Sequence, residues 1–329
     1  MSDPITAAAL RALTERGRLG VEEVADAAGL DPDVLRELLD MAGGVDDDGL
    51  GPRDVAYAKH LAAIADHIGV EALLRSTRVR ARALAQVVVS DLTTIDRVLL
   101  APLRDDGASP TRIAEAAAEA TTALLPAVGA VLVEEYRRVL VHVLGLDLVA
   151  NAVAGAGGAT DRIVAAIGFV DLVGYTRLAA GSDPTELGAI LREFEDLVEE
   201  RVRAGDGHAH VVKLLGDAAM LLADDATTLA AVLLDVVDDS RLPDLPRRAG
   251  LAAGAVLVRE GDYYGDVVNT AARLTAHARP WSVLADESLG EELAEGFVTK
   301  RSRKVELRGL ETQRPVVVRP PSPPDDVEG

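Results

Sequence analysis

The sequence of 329 residues contains no cysteine, which excludes disulfide bonds and thiolate metal sites. Its basic residues are almost all arginine, and the only lysines are Lys59, Lys213, Lys300 and Lys304. The net charge is −20, and both halves of the chain are acidic. A surface that binds the phosphate backbone of a nucleic acid needs an excess of basic over acidic residues. No nucleic-acid partner is therefore expected.

Features of export or membrane anchoring are also missing from the sequence. The first residues contain no basic segment followed by an apolar one. No stretch of about 18 residues is both uncharged and uniformly apolar, as a membrane span would require. We therefore expect a cytoplasmic protein without a transmembrane segment, and the absence of cysteine is compatible with a reducing compartment.

The length suits two domains, and the hydrophobic periodicity changes midway. The first part shows helical spacing and predicts an all-α domain, a Gly-rich stretch then predicts a linker, and a Pro-rich acidic end predicts a disordered tail. The expected limits are 1–153 for the helical domain, 154–162 for the linker, 163–319 for the second domain and 320–329 for the tail. The helices are predicted at 21–29, 32–41, 52–68, 70–103 and 110–146.

The second domain is predicted to be α+β, because short apolar runs alternate with amphipathic stretches. The predicted strands are 163–170, 209–215, 218–222, 249–257, 281–285, 297–300, 304–308 and 314–318, and the predicted helices are 184–204, 226–239 and 266–277. Their order begins β-α-β-β-α-β, which is the ferredoxin-like arrangement.

Two polar motifs interrupt the apolar strands. Asp171 ends the first strand, where a carboxylate could face a metal ion or simply cap a turn. Lys213 and Asp217 are four residues apart around Gly216. A Gly-Asp pair between apolar runs is first of all a hairpin turn, and a lysine in a strand is often an edge or snorkelling residue. Each motif alone therefore has an ordinary structural explanation.

A third motif lies on the helix predicted over 266–277. Asn269 and Arg273 are four residues apart and share one helix face, and Asp262 lies just upstream in a loop bounded by glycines. A capped surface helix would explain this set as well. The three motifs occurring together, in this order and on these elements, are much more specific than any one of them.

On the evidence of these three motifs, the second half of the chain resembles the class III adenylyl cyclase catalytic domain from about Arg162 to Val318. The first half more loosely resembles the helical regulatory domain of actinobacterial cyclases that respond to acidic pH. The resemblance implies conversion of ATP to cyclic AMP and pyrophosphate, by attack of the ribose 3′-hydroxyl on the α-phosphate. It also implies two Mg²⁺ or Mn²⁺ ions per site, held by Asp171, Asp217 and the Leu172 carbonyl.

The same resemblance implies roles for the remaining residues. Asn269 would orient the ribose and Arg273 would stabilise the α-phosphate in the transition state. Lys213 and Asp262 would read adenine, and Arg308 stands where the family often has a lysine that holds the triphosphate. Because the family divides these groups between two chains, the resemblance implies a homodimer with shared active sites.

Alternatives remain open at this point. The chain could be a catalytically silent nucleotide-binding sensor or dimerisation module, or a guanylyl cyclase. The helical domain is expected to regulate activity, with a proton or a lipid as candidate effector, and it contains three histidines: His60, His67 and His142. The segment from Val21 to Met41 resembles a helix-turn-helix, but its acidic charge disfavours DNA binding.

Overall fold

A computed structural model of the chain describes residues 17–44, 49–145, 162–205, 208–306 and 312–321. Contacts divide the chain into two compact units, Met1–Arg138 and Val139–Gly329. Most of the predicted linker and of the predicted tail falls outside the described residues, and Arg162, predicted as the end of the linker, begins the first strand. The expected domain limits stay predictions.

The N-terminal unit is helical in its described part. Its helices are α1 Val21–Ala28, α2 Pro32–Met41, α3 Pro52–Ile68, α4 Val70–Ile95 and α5 Ala101–Asp105, with a π-helical turn at Asp96–Leu100, and α6 Pro110–Gly145 continues into the second unit. Local signals explain several boundaries. The Asp31 carboxylate accepts hydrogen bonds from the first turn of α2, and Gly29 ends α1 in the left-handed conformation.

The core of this unit joins α1 to α4. The buried residues are Val24, Ala25, Leu35, Leu38, Leu39, Leu50, Ala58, Leu61 and Leu73. In α2 and α3 they recur three or four residues apart, which places them on one face of each helix, and Leu50 lies just before α3. The predicted helices at 21–29, 32–41, 52–68, 70–103 and 110–146 agree closely with those observed, apart from the π-helical turn that divides the fourth.

Helix α6 is long and apolar. By length and composition alone, Pro110–Val141 could cross a membrane, with a mean hydropathy of 1.6 in its most apolar window. Only 11 % of that window is buried. Length and composition do not distinguish a membrane span from a helix whose apolar face packs against another protein surface. The expected lack of a transmembrane segment therefore stays a prediction.

The second unit is built on one mixed sheet. Its strands are β1 Arg162–Leu172, β2 Ala209–Leu214, β3 Ala218–Ala223, β4 Arg247–Arg259, β5 Asp262–Tyr264, β6 Ser282–Ala285, β7 Val298–Arg301 and β8 Val316–Arg319. The strand order is β2-β3-β1-β4-β6-β8-β7, with β5 paired to β4. The antiparallel part β2-β3-β1-β4 is the ferredoxin-like order, so the predicted fold class is confirmed.

Helices cover both faces of this sheet. They are α7 Tyr175–Ala179, α8 Pro184–Ala204, α9 Ala226–Asp238, α10 Asp266–His277 and α11 Gly290–Leu293. Successive residues of β1 point to opposite faces. Ala166 and Val170 pack in the core with α8 and α9, whereas Ala165 and Ile167 pack in a second core with Ala271 of α10. The odd-numbered side of β1, which includes Asp171, therefore faces α10.

A buried arginine organises the start of β4. Arg247 is fully buried, and its guanidinium donates to main-chain carbonyls that follow α9, among them Arg241 O at 2.6 Å. The guanidinium also lies over the ring of Trp281, with Cζ 4.8 Å from the ring centroid. Burial lowers the pKa of this group. The carbonyl acceptors and the aromatic face offset the loss of hydration.

The differences from the prediction include several short elements. Residues 304–306 form no strand, and Val305 makes only an isolated bridge to Gln313. The segment 262–264, predicted as loop, pairs with β4 as β5, and a short helix α7 follows Gly174. These elements are five residues long or shorter, so they carry too little periodicity to be predicted.

Candidate active site

Two carboxylates lie where β1 and the β2-β3 hairpin end. Asp171 is the penultimate residue of β1, and Asp217 lies in the turn between β2 and β3. Gly216 has a φ of 75°, and the amide of Leu215 donates to Ala218 O at 2.7 Å, which closes the turn. The Leu172 amide donates to Asp217 O at 2.9 Å and ties the two segments together. The predicted hairpin turn thus also brings Asp217 to the end of β1.

The environment of Asp171 favours a nearby cation. Its pKa is raised, first by burial and also by the negative charge of Asp217, while Arg248 opposes the rise. The Arg248 guanidinium donates to Asp171 Oδ2 from Nε at 3.0 Å and from Nη2 at 2.7 Å. A third hydrogen bond, from Arg248 Nη1, reaches Ala276 O in α10 at 2.9 Å.

Sequence reasoning missed Arg248. It is paired with Asp171 across the β1-β4 ladder, 77 residues away in the chain. Its neighbour Arg247 has the same residue type but is buried against the opposite side of the strand. Only the alternation along β4, read together with its register to β1, could have identified which of the two arginines meets the carboxylate.

The residues around Asp171 fit a hard divalent cation. Two carboxylates that repel each other and an adjacent main-chain carbonyl are oxygen donors of the kind that Mg²⁺ and Mn²⁺ prefer. Among the described residues, no three His, Cys, Asp or Glu side chains surround one point. An ion held here would therefore draw its remaining ligands from main-chain oxygens, water and a bound phosphate.

A second pair of charges forms on the same face of the sheet. Lys213 Nζ lies 2.5 Å from Asp262 Oδ2, although 49 residues separate them in the chain. The ladder between β2 and β3 shifts register between Val211 and Lys213, so a bulge directs the lysine. The other carboxylate oxygen of Asp262 accepts from the Tyr263 amide at 2.8 Å. Both side chains remain partly exposed and can reach a ligand.

Helix α10 carries the third predicted motif. Asn269 is exposed on its first turns, and Arg273 is half-buried one turn later. The Arg273 Nη1 atom is buried and has no hydrogen-bond partner within the part of the chain that the structure describes. A buried donor without a partner is rare, and an anionic ligand would satisfy it.

The position of α10 depends on a close approach to β4. A Cβ atom on Gly250 would lie 2.6 Å from Thr275 Oγ1 and would also meet the backbone of α10. The Thr275 hydroxyl donates to Phe169 O of β1 at 3.2 Å. Only glycine at position 250 therefore lets the helix rest on the sheet at this depth.

Arg308, the candidate triphosphate residue, lies outside the described residues. Elsewhere in the unit, His208 Nδ1 lies 3.1 Å from Asp224 Oδ2, and the ring centroid of His210 lies 6.5 Å from that of Tyr263.

Comparison with known proteins places the chain in a family. The profile of the adenylate and guanylate cyclase catalytic domain matches residues 160–319. The uncharacterized protein Rv2212 of Mycobacterium tuberculosis is 31 % identical over 279 residues, which cover 82 % of this chain and 71 % of that protein. The chain belongs to the class III adenylate and guanylate cyclase family. The resemblance expected from the three motifs is thereby confirmed.

Other relatives of this cyclase carry functional names. An adenylate cyclase of Streptomyces coelicolor is 39 % identical over 170 residues, or 49 % of this chain, and the alignment spans only 44 % of that relative's length. A pH-sensitive adenylate cyclase of M. tuberculosis is 31 % identical over 217 residues, which cover 62 % of this chain and 53 % of that protein. The second alignment is longer than the catalytic region, so it includes part of the helical half.

Solved structures of cyclase domains also match. The guanylate cyclase domain from Catenaria anguillulae in complex with GTP aligns with a TM-score of 0.44 at 18 % identity, over 48 % of this chain and 97 % of that one. An adenylyl cyclase from P. aeruginosa aligns with a TM-score of 0.43 at 16 % identity, over 48 % of this chain and 94 % of that one.

We expect Gly250→Ala to impair the cyclase without touching any charged residue of the site. The added methyl group would push α10 away from β4 and so displace Asn269 and Arg273. The expected loss is about 1–3 kcal/mol of unfolding free energy and about 10²-fold in turnover, measured by urea denaturation and by product formation.

Gly296→Ala is the matched control, because nothing lies within 4 Å of a Cβ at that position. It should leave both measurements close to those of the unmodified protein. Equal behaviour of the two variants would contradict the assigned role of the contact between α10 and the sheet.

Proposed function

We propose that the protein is an adenylyl cyclase that converts ATP to 3′,5′-cyclic AMP and pyrophosphate. The observation that carries this proposal is the contact between Lys213 and Asp262, which pairs a hydrogen-bond donor with an acceptor. Membership of the cyclase family and the relatives named adenylate cyclase support it.

The pair explains a preference for adenine. A lysine donates to adenine N1, and a carboxylate accepts from the adenine amino group. Guanine has a donor at N1 and an acceptor at O6, so both contacts would be mismatched. Because Lys213 and Asp262 already lie 2.5 Å apart, little ordering is needed when the base arrives.

The reaction forms one P–O bond and breaks another. The ribose 3′-oxygen attacks the α-phosphorus as its proton passes to solvent water, and the bond from the α-phosphorus to the bridging oxygen breaks to release pyrophosphate. Asp171 and Asp217 would hold the Mg²⁺ or Mn²⁺ ions, which neutralise charge when bound. Asn269 would orient the ribose, and the unpaired Nη1 of Arg273 would donate to the α-phosphate as charge develops. Arg248 could share Asp171 with an ion or contact the phosphates.

The base preference is tested with Lys213→Met in assays with Mn²⁺-ATP and Mn²⁺-GTP. The unmodified protein should form cyclic AMP and use ATP in preference to GTP. Loss of the donor should lower kcat/KM for ATP by about 10- to 100-fold and reduce the ATP-to-GTP ratio.

Lys304→Met is the matched control, since Lys304 is exposed on the same unit and should not matter. An unchanged ratio in Lys213→Met would refute the role of this lysine. Complete absence of cyclic nucleotide from the unmodified protein would favour a silent nucleotide sensor, and a preference for GTP would favour a guanylyl cyclase.

We propose further that two copies of the chain form the active sites together. In the described residues, no hydrogen bond or ion pair joins the side chains of Asn269 or Arg273 to Asp171 or Asp217. The two groups of residues would therefore meet across a homodimer, with the carboxylates of one protomer facing α10 of its partner. Two-fold symmetry would produce two such sites.

Mixing Asp171→Ala chains with Arg273→Ala chains tests this arrangement. Each variant alone should be inactive, because both of its sites lack one essential group. In an equal mixture, half of the dimers carry one intact site, so activity should return to about a quarter of the unmodified level. Mixed dimers that form and yet regain no activity would refute shared sites.

The helical unit is proposed to regulate the cyclase. It contains a cavity of about 720 Å³ with mainly apolar lining, and its polar groups come from Tyr57, His60, Thr77, Arg80 and Tyr136. Burial raises the pKa of Tyr57. An apolar cavity with a guanidinium suits a lipid that carries an acidic head, and a histidine in its wall suits a proton effector.

Removal of residues 1–158 tests regulation by this unit. The catalytic unit has its own core, so it should keep its fold. The activity profile between about pH 5.5 and 8 should differ between the full chain and the shortened one, because histidine is the side chain whose charge ordinarily changes in that range. Identical profiles, or a flat profile for the full chain, would exclude proton regulation by this unit.

A further inference from the structure

A basic cavity of about 560 Å³ lies on the catalytic unit, and none of its lining residues belongs to the candidate active site. Its walls are the end of α10, the loop that follows it, and strands β6, β7 and β8. Cavities of this size commonly hold small molecules. We refer to it as the β7 cavity, because β7 is the edge strand that borders it.

Cations dominate the lining of the β7 cavity. Five of its residues are Lys or Arg, and none is acidic: the five are Arg279, Lys300, Arg301, Arg303 and Arg319. Each is exposed, and none makes an ion pair in the part of the chain that the structure describes. Most other arginines of the described chain do have carboxylate partners, as expected for a net charge of −20. Unpaired like charges around one cavity repel each other, and a bound anion would remove that repulsion.

An aromatic ring forms another part of the wall. Trp281 is the only tryptophan of the chain, and it is 42 % exposed. One side of its ring is taken by the buried guanidinium of Arg247. Its φ of 59° is a left-handed conformation that a bulky residue seldom adopts, and its amide donates to Arg247 O at 2.7 Å. The surrounding structure thus holds an unfavourable backbone conformation that keeps the ring at the cavity.

The β7 cavity is separate from the two-carboxylate site. Asp171 on β1 pairs with Arg248 on β4, and Arg248 pairs in turn with Ser282 on β6. Arg319 lies on the next strand, β8, so three strand spacings, or about 14 Å, separate it from Asp171. A ligand centred on the five cations would therefore leave the carboxylates of Asp171 and Asp217 free.

We propose that the β7 cavity is a second anion site that binds a polyphosphate group, carried either by free pyrophosphate or by a nucleotide. Arginine guanidinium groups match phosphate oxygens in pairs, and four arginines with one lysine can neutralise several negative charges at once. A nucleotide would in addition place its base against the exposed part of Trp281. The site does not depend on which nucleotide the catalytic residues use.

The position of Trp281 makes the test direct, because its fluorescence reports on the cavity itself. The full-length protein is titrated with pyrophosphate, with ATP and with adenosine, in buffer that contains a chelator of divalent metals. Pyrophosphate and ATP should change the fluorescence saturably, adenosine should not, and added salt should weaken both responses. Tighter binding of ATP than of pyrophosphate would identify the nucleotide as the carrier, and the reverse order would identify the free anion.

The double variant Arg279→Ser/Arg303→Ser should weaken both Kd values at least tenfold. Arg192→Ser, an exposed arginine on α8, is the matched control and should bind as the unmodified protein does. Circular dichroism checks that the variants fold, and Arg273→Ala, which alters the catalytic residues only, should retain the response.

Three results would overturn the proposal. The first is the absence of a saturable response to either anion. The second is an unchanged Kd in the Arg279→Ser/Arg303→Ser variant with its fold intact. The third is a response that Arg273→Ala abolishes, because binding would then occur among the catalytic residues. Sulfate binding as tightly as pyrophosphate would also refute a polyphosphate site.

Discussion

The pairing of β1 with β4 is the constraint on which the catalytic unit depends. All eleven residues of β1 are in register with β4, and β3 pairs along the other edge of β1. Strand β1 is therefore buried between two neighbours, and its alternation assigns one side to α8 and α9 and the other to α10. A slip of one residue would turn Asp171 away from α10 and place an apolar side chain where the carboxylate belongs.

Some charged side chains of the catalytic unit are only partly neutralised by their neighbours. Burial and the negative charge of Asp217 raise the pKa of Asp171, and Arg248 compensates only in part. Lys213 and Asp262 satisfy each other, whereas Arg273 keeps a buried donor that has no partner among the described residues. Arg248 also joins Asp171 to the end of α10 through Ala276 O. Each protomer is proposed to give its carboxylates to one active site of the dimer and its helix α10 to the second active site. Arg248 therefore connects groups of the same chain that would serve different active sites.

The buried Arg247 and the cations of the β7 cavity differ in how their positive charge is balanced. Arg247 is fully buried and is satisfied by carbonyls and by the ring of Trp281, so its role is structural. Within the described ranges, the cations of the β7 cavity have no such partners. Trp281 contacts both regions, and the packing that buries Arg247 also holds the aromatic ring at the cavity.

Local patterns in the sequence determined much of this architecture. Apolar alternation and helical spacing located the helices of the N-terminal unit and the βαββαβ core, because one buried face is enough to specify each element. The positions of Asp171, Lys213, Asp217, Asp262, Asn269 and Arg273 stood out because polar residues interrupted apolar runs or shared a helix face. Short elements such as β5 and α7 have too few residues to show a periodicity, so they could not be predicted in this way.

Contacts between distant residues were decided only by the tertiary structure. The register of β4 selected Arg248 rather than Arg247 as the partner of Asp171, and the bulge in β2 directed Lys213 to Asp262. Strands far apart in the chain brought Lys300, Arg319 and Arg279 around one cavity with Trp281. Strand order and register depend on packing over the whole sheet. Local patterns in the sequence therefore identify the charged residues, but they do not determine which of these residues contact each other.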